Sequence, residues 1–310
     1  MFGPTTTADE VIAGVDLSGK LALVTGGGAG LGAETAGALA AAGAGIVLGV
    51  RNVAKGEDAA ENIRRRAPGP SVEVLELDLA SLASVRGAAK QFLDRHDRLN
   101  LLINNAGVMA TPFERTADGF ELQLGTNHLG HFLLTNLVVP ALLAGAPSRV
   151  VNVTSTGHHI GKPDFDDLNF ERRDYEAWYA YGQSKSLNIL FTIELERRLG
   201  RRGVHAYAAH PGAILTDLFR YMTPEAMEQY VARAEQTAKE TGQPATKTVE
   251  SGAATAVFAA TSPGLEQQGG SYLIDCAVND TAAPWATDPD DARRLWELSE
   301  EMVGQQFPEA

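Results

Sequence analysis

The chain is nearly free of cysteine, since its 310 residues contain only Cys276. One cysteine excludes an internal disulfide and any metal site built from several thiolates. Cys276 is expected to be a small buried apolar residue. A chain without disulfides is typical of a reducing compartment, and we predict a cytoplasmic protein.

Basic residues are also scarce. Lysine and arginine number 26 against 39 aspartate and glutamate residues, which gives a net charge of −13. Binding to a phosphate backbone requires a basic face, so we predict no nucleic-acid partner. The histidines at positions 128, 131, 158, 159 and 210 have no spacing that brings three ligands together. We therefore predict no metal site.

Long apolar runs are missing as well. No window reaches the roughly 18 to 20 uninterrupted apolar residues that a membrane span requires, and the N-terminus lacks the pattern of a signal peptide. No membrane span is predicted. We expect residues 1–18 to form a loosely ordered arm, residues 19–280 the main folded domain, and residues 281–310 a C-terminal extension.

What the chain has is an alternation of short apolar runs and helical patterns. This alternation is typical of a parallel sheet covered by helices on both faces. The predicted fold class is α/β, a Rossmann-type doubly wound parallel sheet of seven strands in a single domain. The predicted strands are 21–25, 46–50, 72–77, 101–104, 150–154, 204–209 and 272–275. The predicted helices are 30–42, 54–66, 81–97, 120–143, 178–199 and 249–261.

Two segments, 157–177 and 217–247, do not fit the alternation. Both follow strands at the sheet edge where ligands bind in open sheets, so we predict that they form substrate walls. The first is rich in aromatic residues, which suit either a bulky substrate or packing onto the domain. In the second, Thr223 as cap and Pro224 at the first position predict the start of a lid helix.

A glycine-rich turn follows the first predicted strand. Gly26, Gly30 and Gly32 permit a tight turn and a close approach of the backbone to a pyrophosphate. The helix predicted from Gly30 would direct its free N–H groups at the phosphates. The order of strand, turn and helix favours a dinucleotide site over an ordinary strand-to-helix turn.

The end of the second predicted strand carries Arg51 and Asn52 in place of a carboxylate. A carboxylate there would bind an adenosine 2′-hydroxyl and repel a 2′-phosphate, whereas the Arg51 guanidinium can bind a phosphate with two hydrogen bonds. The pattern favours NADP(H) over NAD(H). The alternative is a solvated arginine at the start of a helix.

Tyr181 and Lys185 are four positions apart in a helical pattern, so their side chains lie on one face. A phenol, whose reference pKa is near 10, is a poor base at neutral pH, but a nearby ammonium favours the phenolate. This makes Tyr181 a usable acid and base. A tyrosine and a lysine at this spacing are usually just two exposed residues on one face of a helix. The proton-transfer interpretation therefore depends on other motifs.

Those motifs are Thr25-Gly-x-x-x-Gly-x-Gly32, Asp78-Leu79, Asn104-Asn-Ala-Gly107, Thr126-Asn-His-Leu-Gly-His-Phe132, Ser155, Tyr181-x-x-x-Lys185 and His210-Pro-Gly212. With them the chain resembles the classical short-chain dehydrogenase/reductase family over about residues 19–280. It is most similar to the retinol-dehydrogenase branch.

The resemblance implies a catalytic tetrad of Asn127, Ser155, Tyr181 and Lys185. In this family the serine hydroxyl binds the substrate oxygen and the tyrosine donates or removes its proton. The lysine holds the nicotinamide ribose and lowers the tyrosine pKa, and the asparagine holds a water that links the lysine to solvent. Hydride passes directly between the nicotinamide and the substrate carbon.

The resemblance also implies the remaining cofactor contacts, besides those of the tetrad tyrosine and lysine. Each has a structural alternative, with Asp78 as a cap on the approach to a helix, Asn104 and Asn105 as turn formers, and Thr216 as a cap for the following segment. The implied contacts are Leu31 in the turn, Asp78 and Leu79 at the adenine, Asn105, Ala106 and Gly107 at the ribose, and Pro211, Gly212, Ile214 and Thr216 at the carboxamide.

The predicted function is an NADP-dependent carbonyl reductase or alcohol dehydrogenase for a medium or large apolar ketone, aldehyde or alcohol. A dinucleotide-sensing regulator and an interaction scaffold of the same fold are the alternatives. An enzyme of the extended branch of this family, which acts on nucleotide sugars, is disfavoured. That branch prefers Thr-Gly-x-x-Gly-x-x-Gly in the turn, and Ala29 stands at the position of the middle glycine. By the same resemblance a homodimer is expected by default, through the helices that begin near Phe120 and Trp178.

Overall fold

The short apolar runs form the strands of one twisted sheet. The computed structural model describes residues 2–241 and 244–307. The sheet has eight strands in the order β3-β2-β1-β4-β5-β6-β7-β8, and the first seven are parallel. The strands are β1 Leu21–Thr25, β2 Gly45–Val50, β3 Val72–Glu76, β4 Leu101–Asn104, β5 Ser148–Val153, β6 Val204–His210, β7 Tyr272–Ile274 and β8 Ala277–Val278.

The prediction of seven strands was wrong by one. β8 is antiparallel to β7 and pairs Leu273 with Val278 and Ile274 with Ala277. The turn between them, Asp275 and Cys276, has φ of +52° and +59°. A two-residue strand is too short to show the alternation of apolar and polar positions that identifies a strand in a sequence.

Helices cover both faces of the sheet. α1, α2, α3 and α10 pack on one apolar core, and α4, α6, α7, α8 and α12 pack on the other. Their bounds are α1 Ala8–Ile12, α2 Gly30–Ala41, α3 Val53–Arg66, α4 Leu82–Leu93, α5 Leu122–Leu124, α6 Gly130–Leu137, α7 Val139–Ala144, α8 Ala177–Leu199, α9 Pro224–Thr241, α10 Val249–Thr261, α11 Pro284–Thr287 and α12 Pro289–Val303.

The single helix predicted over 120–143 is divided into several pieces. After α5 the chain forms a π-helical turn, Gly125–Leu129, before α6 begins. A second break precedes α7, whose first turn contains Pro140. Proline has no N–H to bond to the preceding turn, whereas the π-helical turn has no marker in the sequence.

Both ends of the chain carry helices. In the N-terminal arm, α1 has a capping box between Thr7 and Glu10, and it buries Val11 and Ile12. The C-terminal extension packs α12 on α8 with Trp296 against Phe132 and Phe191. Among the described residues no helix combines the length and apolar character needed to cross a membrane.

Strand order reverses between β1 and β4, which are neighbours in the sheet although β2 and β3 separate them in the chain. The connections from these two strands leave toward opposite sides, which opens a crevice at their carboxyl ends. Thr25, Asn104, Val153 and His210 are the last residues of four strands at this edge. Each is followed by a segment predicted to hold cofactor or substrate.

Candidate active site

The turn after β1 brings backbone segments closer together than a side chain would allow. A Cβ added at Gly32 would lie 2.4 Å from the carbonyl oxygen of Gly26. Gly26 and Gly30 have φ of +68° and +54°, in the left-handed region that favours glycine. α2 begins at Gly30, and its N-cap Ala29 makes no side-chain hydrogen bond to the first turn. This helix N-terminus fits an anionic phosphate group.

A groove runs along the sheet edge on both sides of this turn. It consists of two cavities of about 460 and 770 Å³. Gly26, Ala29, Asp217 and Arg220 line both of them, so the cavities meet over the glycine turn. One extends toward the loop after β4 and the other toward the end of β2. Two arms that meet at a helix N-terminus suit an extended dinucleotide.

Most of the predicted cofactor residues line this groove. Those at the turn and the nicotinamide side are Gly26, Gly30, Leu31, Gly32, Asn105, Ala106, Gly107 and Thr216. Those at the adenosine side are Arg51 and Asn52. Lys55, Glu76, Asp217 and Arg220 line it as well and were not predicted. Lys55 lies on the first turn of α3, where its proximity in sequence to Arg51 was the available signal.

Several predicted cofactor residues make structural contacts outside the lining of the two cavities. Asp78 Oδ1 accepts from the Ala80 N–H at 3.0 Å, a contact that fits its alternative role as a cap on the approach to a helix. Leu79 lies against α6, where a Cβ added at Gly130 would be 2.5 Å from the Leu79 carbonyl oxygen. Pro211, Gly212 and Ile214 are likewise outside this lining. Their contacts with a cofactor remain predictions.

Ser155 follows β5 and caps a 3-10 turn, Thr156–Ile160. Its Oγ accepts from the Gly157 N–H at 3.1 Å. A Cβ added at Gly157 would lie 3.5 Å from Ser155 Oγ and 3.1 Å from both Cδ1 and Cε1 of Tyr181. The small residue at 157 therefore lets the serine hydroxyl and the tyrosine ring share one side of the site.

The close approach of this segment to α8 depends on two further glycines. A Cβ added at Gly161 would lie 1.9 Å from the Gln183 nitrogen, and one added at Gly182 would lie 2.4 Å from the Gly157 carbonyl oxygen. Atoms that are not bonded to each other do not approach so closely, so the crossing of this segment and α8 tolerates no side chain at Gly161 or Gly182. The crossing holds the serine segment, residues 155–161, on the helix that carries Tyr181.

Lys185 lies one helical turn after Tyr181, with Nζ 5.6 Å from the ring centroid. The side chain is 4% exposed, and Nζ donates to the Val153 carbonyl oxygen at 3.1 Å. Burial lowers the pKa of Lys185 to about 8. At neutral pH this group is mostly an ammonium, and it can favour negative charge on a nearby phenol oxygen.

Asn127 lies in the π-helical turn between α5 and α6. Its Oδ1 accepts from the Val108 N–H, and its Nδ2 donates to the Val108 carbonyl oxygen, both at 2.9 Å. Nδ2 also donates to Ser184 Oγ at 2.9 Å. A Cβ added at Gly107 would lie 3.1 Å from Asn127 Oδ1 and 3.8 Å from Lys185 Nζ. The structure thus brings Asn127 and Lys185 to the same loop, while the predicted water remains a prediction.

Two buried histidines connect the site to more distant parts of the chain. His131 lies 3.0 Å from the Asn127 carbonyl oxygen through Nδ1 and 2.8 Å from Thr25 Oγ1 through Nε2. His158 lies 2.6 Å from the Ser155 carbonyl oxygen through Nδ1, and its Nε2 accepts from the Ala283 N–H at 3.1 Å. Burial lowers the pKa of both to about 4. They are neutral at pH 7 and position neighbouring backbone.

Thr154, next to Ser155 in the chain, and Tyr179, two residues before Tyr181, both have structural partners. Thr154 Oγ1 donates to the Lys185 carbonyl oxygen at 2.9 Å and is buried. The Tyr179 hydroxyl donates to the Lys162 carbonyl oxygen. The assignment of Ser155 and Tyr181 as the reacting side chains remains a prediction.

An apolar cluster lies against the Tyr181 ring. Met109 and Phe219 are buried with it, and partly buried apolar side chains surround the three. Phe219 belongs to the 217–247 segment, in which α9 begins at Pro224 as predicted. Its role as a lid remains a prediction. The surrounding side chains are Ala110, Trp178, Leu218, Met222 and Met227.

The aromatic residues of the 157–177 segment are used mainly for packing. Phe165 and Leu168 belong to the core beneath α8. Phe170 packs against Tyr175, whose hydroxyl contacts Glu121 Oε1 at 3.1 Å. Of the two interpretations that the sequence left open, the structural one holds for these side chains. Trp178, just after the segment, contacts the Tyr181 ring.

Known proteins resemble the chain over most of its length. Residues 20–227 match the family model described as short chain dehydrogenase. The human protein retinol dehydrogenase 12 is 43% identical over 290 residues, which is 94% of this chain and 88% of the relative.

Solved structures share the fold. A crystal structure of an uncharacterized protein from Mycobacterium paratuberculosis is 37% identical with a TM-score of 0.73, and the match covers 98% of this chain and 99% of that one. A gluconate 5-dehydrogenase from Burkholderia cenocepacia, in complex with NADP and tartrate, is 25% identical with a TM-score of 0.67. That match covers 87% of this chain and 97% of the other.

Proposed function

Since the chain belongs to the short-chain dehydrogenase family, we propose that it transfers hydride between NADP(H) and a medium or large apolar ketone, aldehyde or alcohol. Its class, an oxidoreductase that acts on CH–OH groups with a nicotinamide cofactor, follows from family membership. The observation that carries the proposal is the convergence of Ser155, Tyr181 and Lys185 beside a groove that fits a dinucleotide.

The chemistry divides between cofactor and protein. The bound nicotinamide supplies or accepts the hydride. The Ser155 hydroxyl binds the substrate oxygen, and the Tyr181 hydroxyl gives a proton to that oxygen in reduction or takes it in oxidation. The Lys185 ammonium favours the phenolate that remains after the proton has left. The protein thus supplies position and a matched acid and base at one oxygen atom.

Two features support NADP(H) over NAD(H). Arg51 and Lys55 line the adenosine side of the groove, where two cations suit a 2′-phosphate. Glu76 also lines it and is the one acidic residue at the β2–β3 end of that cavity. The gluconate 5-dehydrogenase that shares the fold is described with NADP.

Replacing Arg51 by alanine should weaken NADP⁺ binding by roughly 10-fold or more and leave NAD⁺ binding nearly unchanged, because only NADP⁺ carries the 2′-phosphate. Titration of both cofactors by calorimetry measures this. Arg64→Ala, on the far end of α3, is the matched control. Equal losses for the two cofactors would contradict the preference for NADP(H).

The proposed substrate class rests on the cluster around Tyr181. Its partly buried members Trp178, Met222 and Met227 present polarizable apolar surface around the buried Met109 and Phe219, and methionine adapts to irregular ligands. A relative named retinol dehydrogenase supports a lipid-like substrate. Small polar carbonyl compounds would leave this surface exposed to water.

A panel of carbonyl compounds matched in reactivity and graded in chain length tests this. We expect NADPH consumption with kcat/KM that rises with apolar size, since each additional buried methylene contributes about 0.8 kcal/mol. A Ser155→Ala variant in parallel shows that the consumption comes from this site. Cofactor binding without turnover on any compound would favour the dinucleotide-sensing regulator, and thermal stability unchanged by NADP⁺ would favour the scaffold.

Location and assembly complete the proposal. The one cysteine is buried and unpaired, which fits a reducing compartment, and a cytoplasmic location is part of the proposal.

A homodimer through α8 would need a surface that the single chain already covers, because every residue from 180 to 192 is buried. We therefore propose that any dimer uses another face. Nucleic acid is not among the proposed partners.

A further inference from the structure

Arg220 occupies a central position in the groove. It lines both cavities together with Gly26, Ala29 and Asp217 and therefore lies where they meet. Its Nη1 donates to the Asp217 carbonyl oxygen at 3.0 Å, and its guanidinium lies 4.7 Å from the centroid of the Tyr221 ring. The side chain is thereby directed along the short turn that carries it, and the residue is exposed.

The opposite wall at this point is the glycine turn with the N-terminus of α2. A group bound between the two walls meets free N–H groups on one side and a guanidinium on the other. In a dinucleotide that lies along the groove, the pyrophosphate bridge is the group at the junction of the two arms. Its negative charge suits both walls, because guanidinium and helix N-terminus each bind phosphate oxygens.

One carboxylate opposes this arrangement. Asp217 lines the same junction, and its charge has the same sign as that of a phosphate. Arg220 and Asp217 therefore make opposite contributions to phosphate binding. Replacing each of them separately tests whether charge or the shape of the turn determines the affinity for the cofactor.

The turn that carries Arg220 also forms part of the apolar cluster. Asp217–Phe219 is a 3-10 turn, and it continues through hydrogen bonds from the Arg220 N–H to the Asp217 oxygen at 3.3 Å and from the Met222 N–H to the Phe219 oxygen at 2.9 Å. Phe219 and Met222 pack with Tyr181. Asp217 and Arg220 thus face the groove, Phe219 and Met222 pack in the cluster with Tyr181, and Leu218 does both.

We infer that Arg220 binds the pyrophosphate bridge of the cofactor and, through this turn, holds Phe219 and Met222 against Tyr181, so that cofactor binding completes the substrate pocket. The inference rests on the proposed function, because it requires a dinucleotide in the groove. Arg220 is a binding residue for the cofactor and a positioning residue for the substrate wall.

The test uses the full chain and the variants Arg220→Gln, Arg220→Lys, Asp217→Asn and Arg51→Gln. Arg202→Gln, an exposed arginine at the opposite edge of the sheet, is the control. Calorimetry with NADP⁺ and with NAD⁺ gives the affinities. Amide hydrogen exchange of residues 215–222, with and without saturating NADP⁺, reports the order of the turn. KM of an apolar carbonyl compound at saturating NADPH reports the substrate wall.

We expect Arg220→Gln to weaken NADP⁺ and NAD⁺ by the same factor, about 10-fold or more, because both cofactors contain the bridge. Arg51→Gln should affect NADP⁺ alone. NADP⁺ should slow exchange in the parent chain and in Arg51→Gln but not in Arg220→Gln, which should also raise the KM of the carbonyl compound. Arg220→Lys should have cofactor affinities between those of the parent and of Arg220→Gln, and Asp217→Asn should bind both cofactors at least as tightly as the parent.

Parent-like affinities in Arg220→Gln, or cofactor-dependent protection that persists in it, would overturn the inference and leave the proposed function intact. An affinity loss in Asp217→Asn as large as that in Arg220→Gln would also overturn it, because the shape of the turn would then be responsible. A parent chain that binds neither cofactor would overturn the proposed function and this inference together.

Discussion

Replacing Tyr181 by phenylalanine should reduce turnover by roughly 10²–10⁴-fold, the range by which a positioned acid or base accelerates a reaction. The substitution removes the hydroxyl and keeps the ring, which packs against Met109 and Phe219 and beside Gly157. Folding and cofactor affinity should therefore change little. kcat from NADPH consumption and the Kd of NADP⁺ from calorimetry measure the two effects separately.

Tyr179→Phe is the matched control for this experiment. Tyr179 lies on the same helix, two residues earlier, but its hydroxyl donates to the Lys162 carbonyl oxygen and its pair with Lys185 has the wrong spacing. Its removal should leave kcat nearly unchanged. Turnover retained in Tyr181→Phe, or lost equally in Tyr179→Phe, would remove Tyr181 from the mechanism.

Replacing Lys185 by methionine should also abolish most turnover, and at the same time it should stabilise the fold. The ammonium is 4% exposed, and burying a charge without a counter-ion is costly. Its hydrogen-bond acceptor, the Val153 carbonyl oxygen, also accepts from Asn188 Nδ2 at 3.1 Å and keeps that partner in the variant. We expect the melting temperature to rise by a few degrees, the response of a domain of this size to roughly 1 kcal/mol.

The rise in melting temperature of Lys185→Met over the parent should depend on pH in a definite direction. Burial lowers the pKa of Lys185 from 10.5 to about 8. Between these two values the unfolded chain holds a proton that the folded chain has released, so the stability of the parent protein rises with pH across this interval. The methionine variant lacks this contribution. Its advantage in melting temperature should be largest below about pH 8 and should shrink toward pH 10.5.

Thermal unfolding at several pH values, combined with kcat, measures both parts of this prediction. Lys90→Met is the control, because Lys90 is exposed and paired with Asp94 on the surface, where an ion pair contributes little. A Lys185→Met protein that melts lower than the parent would show that the ammonium stabilises the fold. Turnover close to that of the parent would show that it is not needed for proton transfer.

The sequence allowed the strands at the centre of the sheet to be predicted closely. β1 and β4 have the predicted bounds, because buried parallel strands are short apolar runs that end at polar turn residues. The tetrad could be named because the short motifs around its members resemble those of a known family, and its catalytic roles remain predictions. What these cases share is that the information lies within a few consecutive residues.

The parts that could not be predicted depend on contacts between distant residues. His158 meets the backbone of Ala283 across 125 positions, and no local pattern marks such a pair. Arg220 lines the groove together with the glycine turn because the segment after β6 passes the N-terminus of α2, where a Cβ added at Gly30 would lie 3.8 Å from Thr216 Cγ2. The π-helical turn that carries Asn127 differs from an α-helix by one residue in its hydrogen-bond spacing, and neither composition nor periodicity records that change.

The glycine crossing between the serine segment and α8 has a consequence for how this enzyme can diversify. The stretch between Gly161 and the start of α8 at Ala177 stays in contact with the helix, because Gln183 Nε2 donates to the Leu168 carbonyl oxygen at 3.0 Å and Arg173 Nη2 donates to Gln183 Oε1 at 2.7 Å. A side chain at Gly161 or Gly182 would force the backbone of Ser155 away from the helix that carries Tyr181. Sequence change in this enzyme is therefore restricted at both glycines, and exchanges within residues 162–176 have to preserve the partners of Gln183.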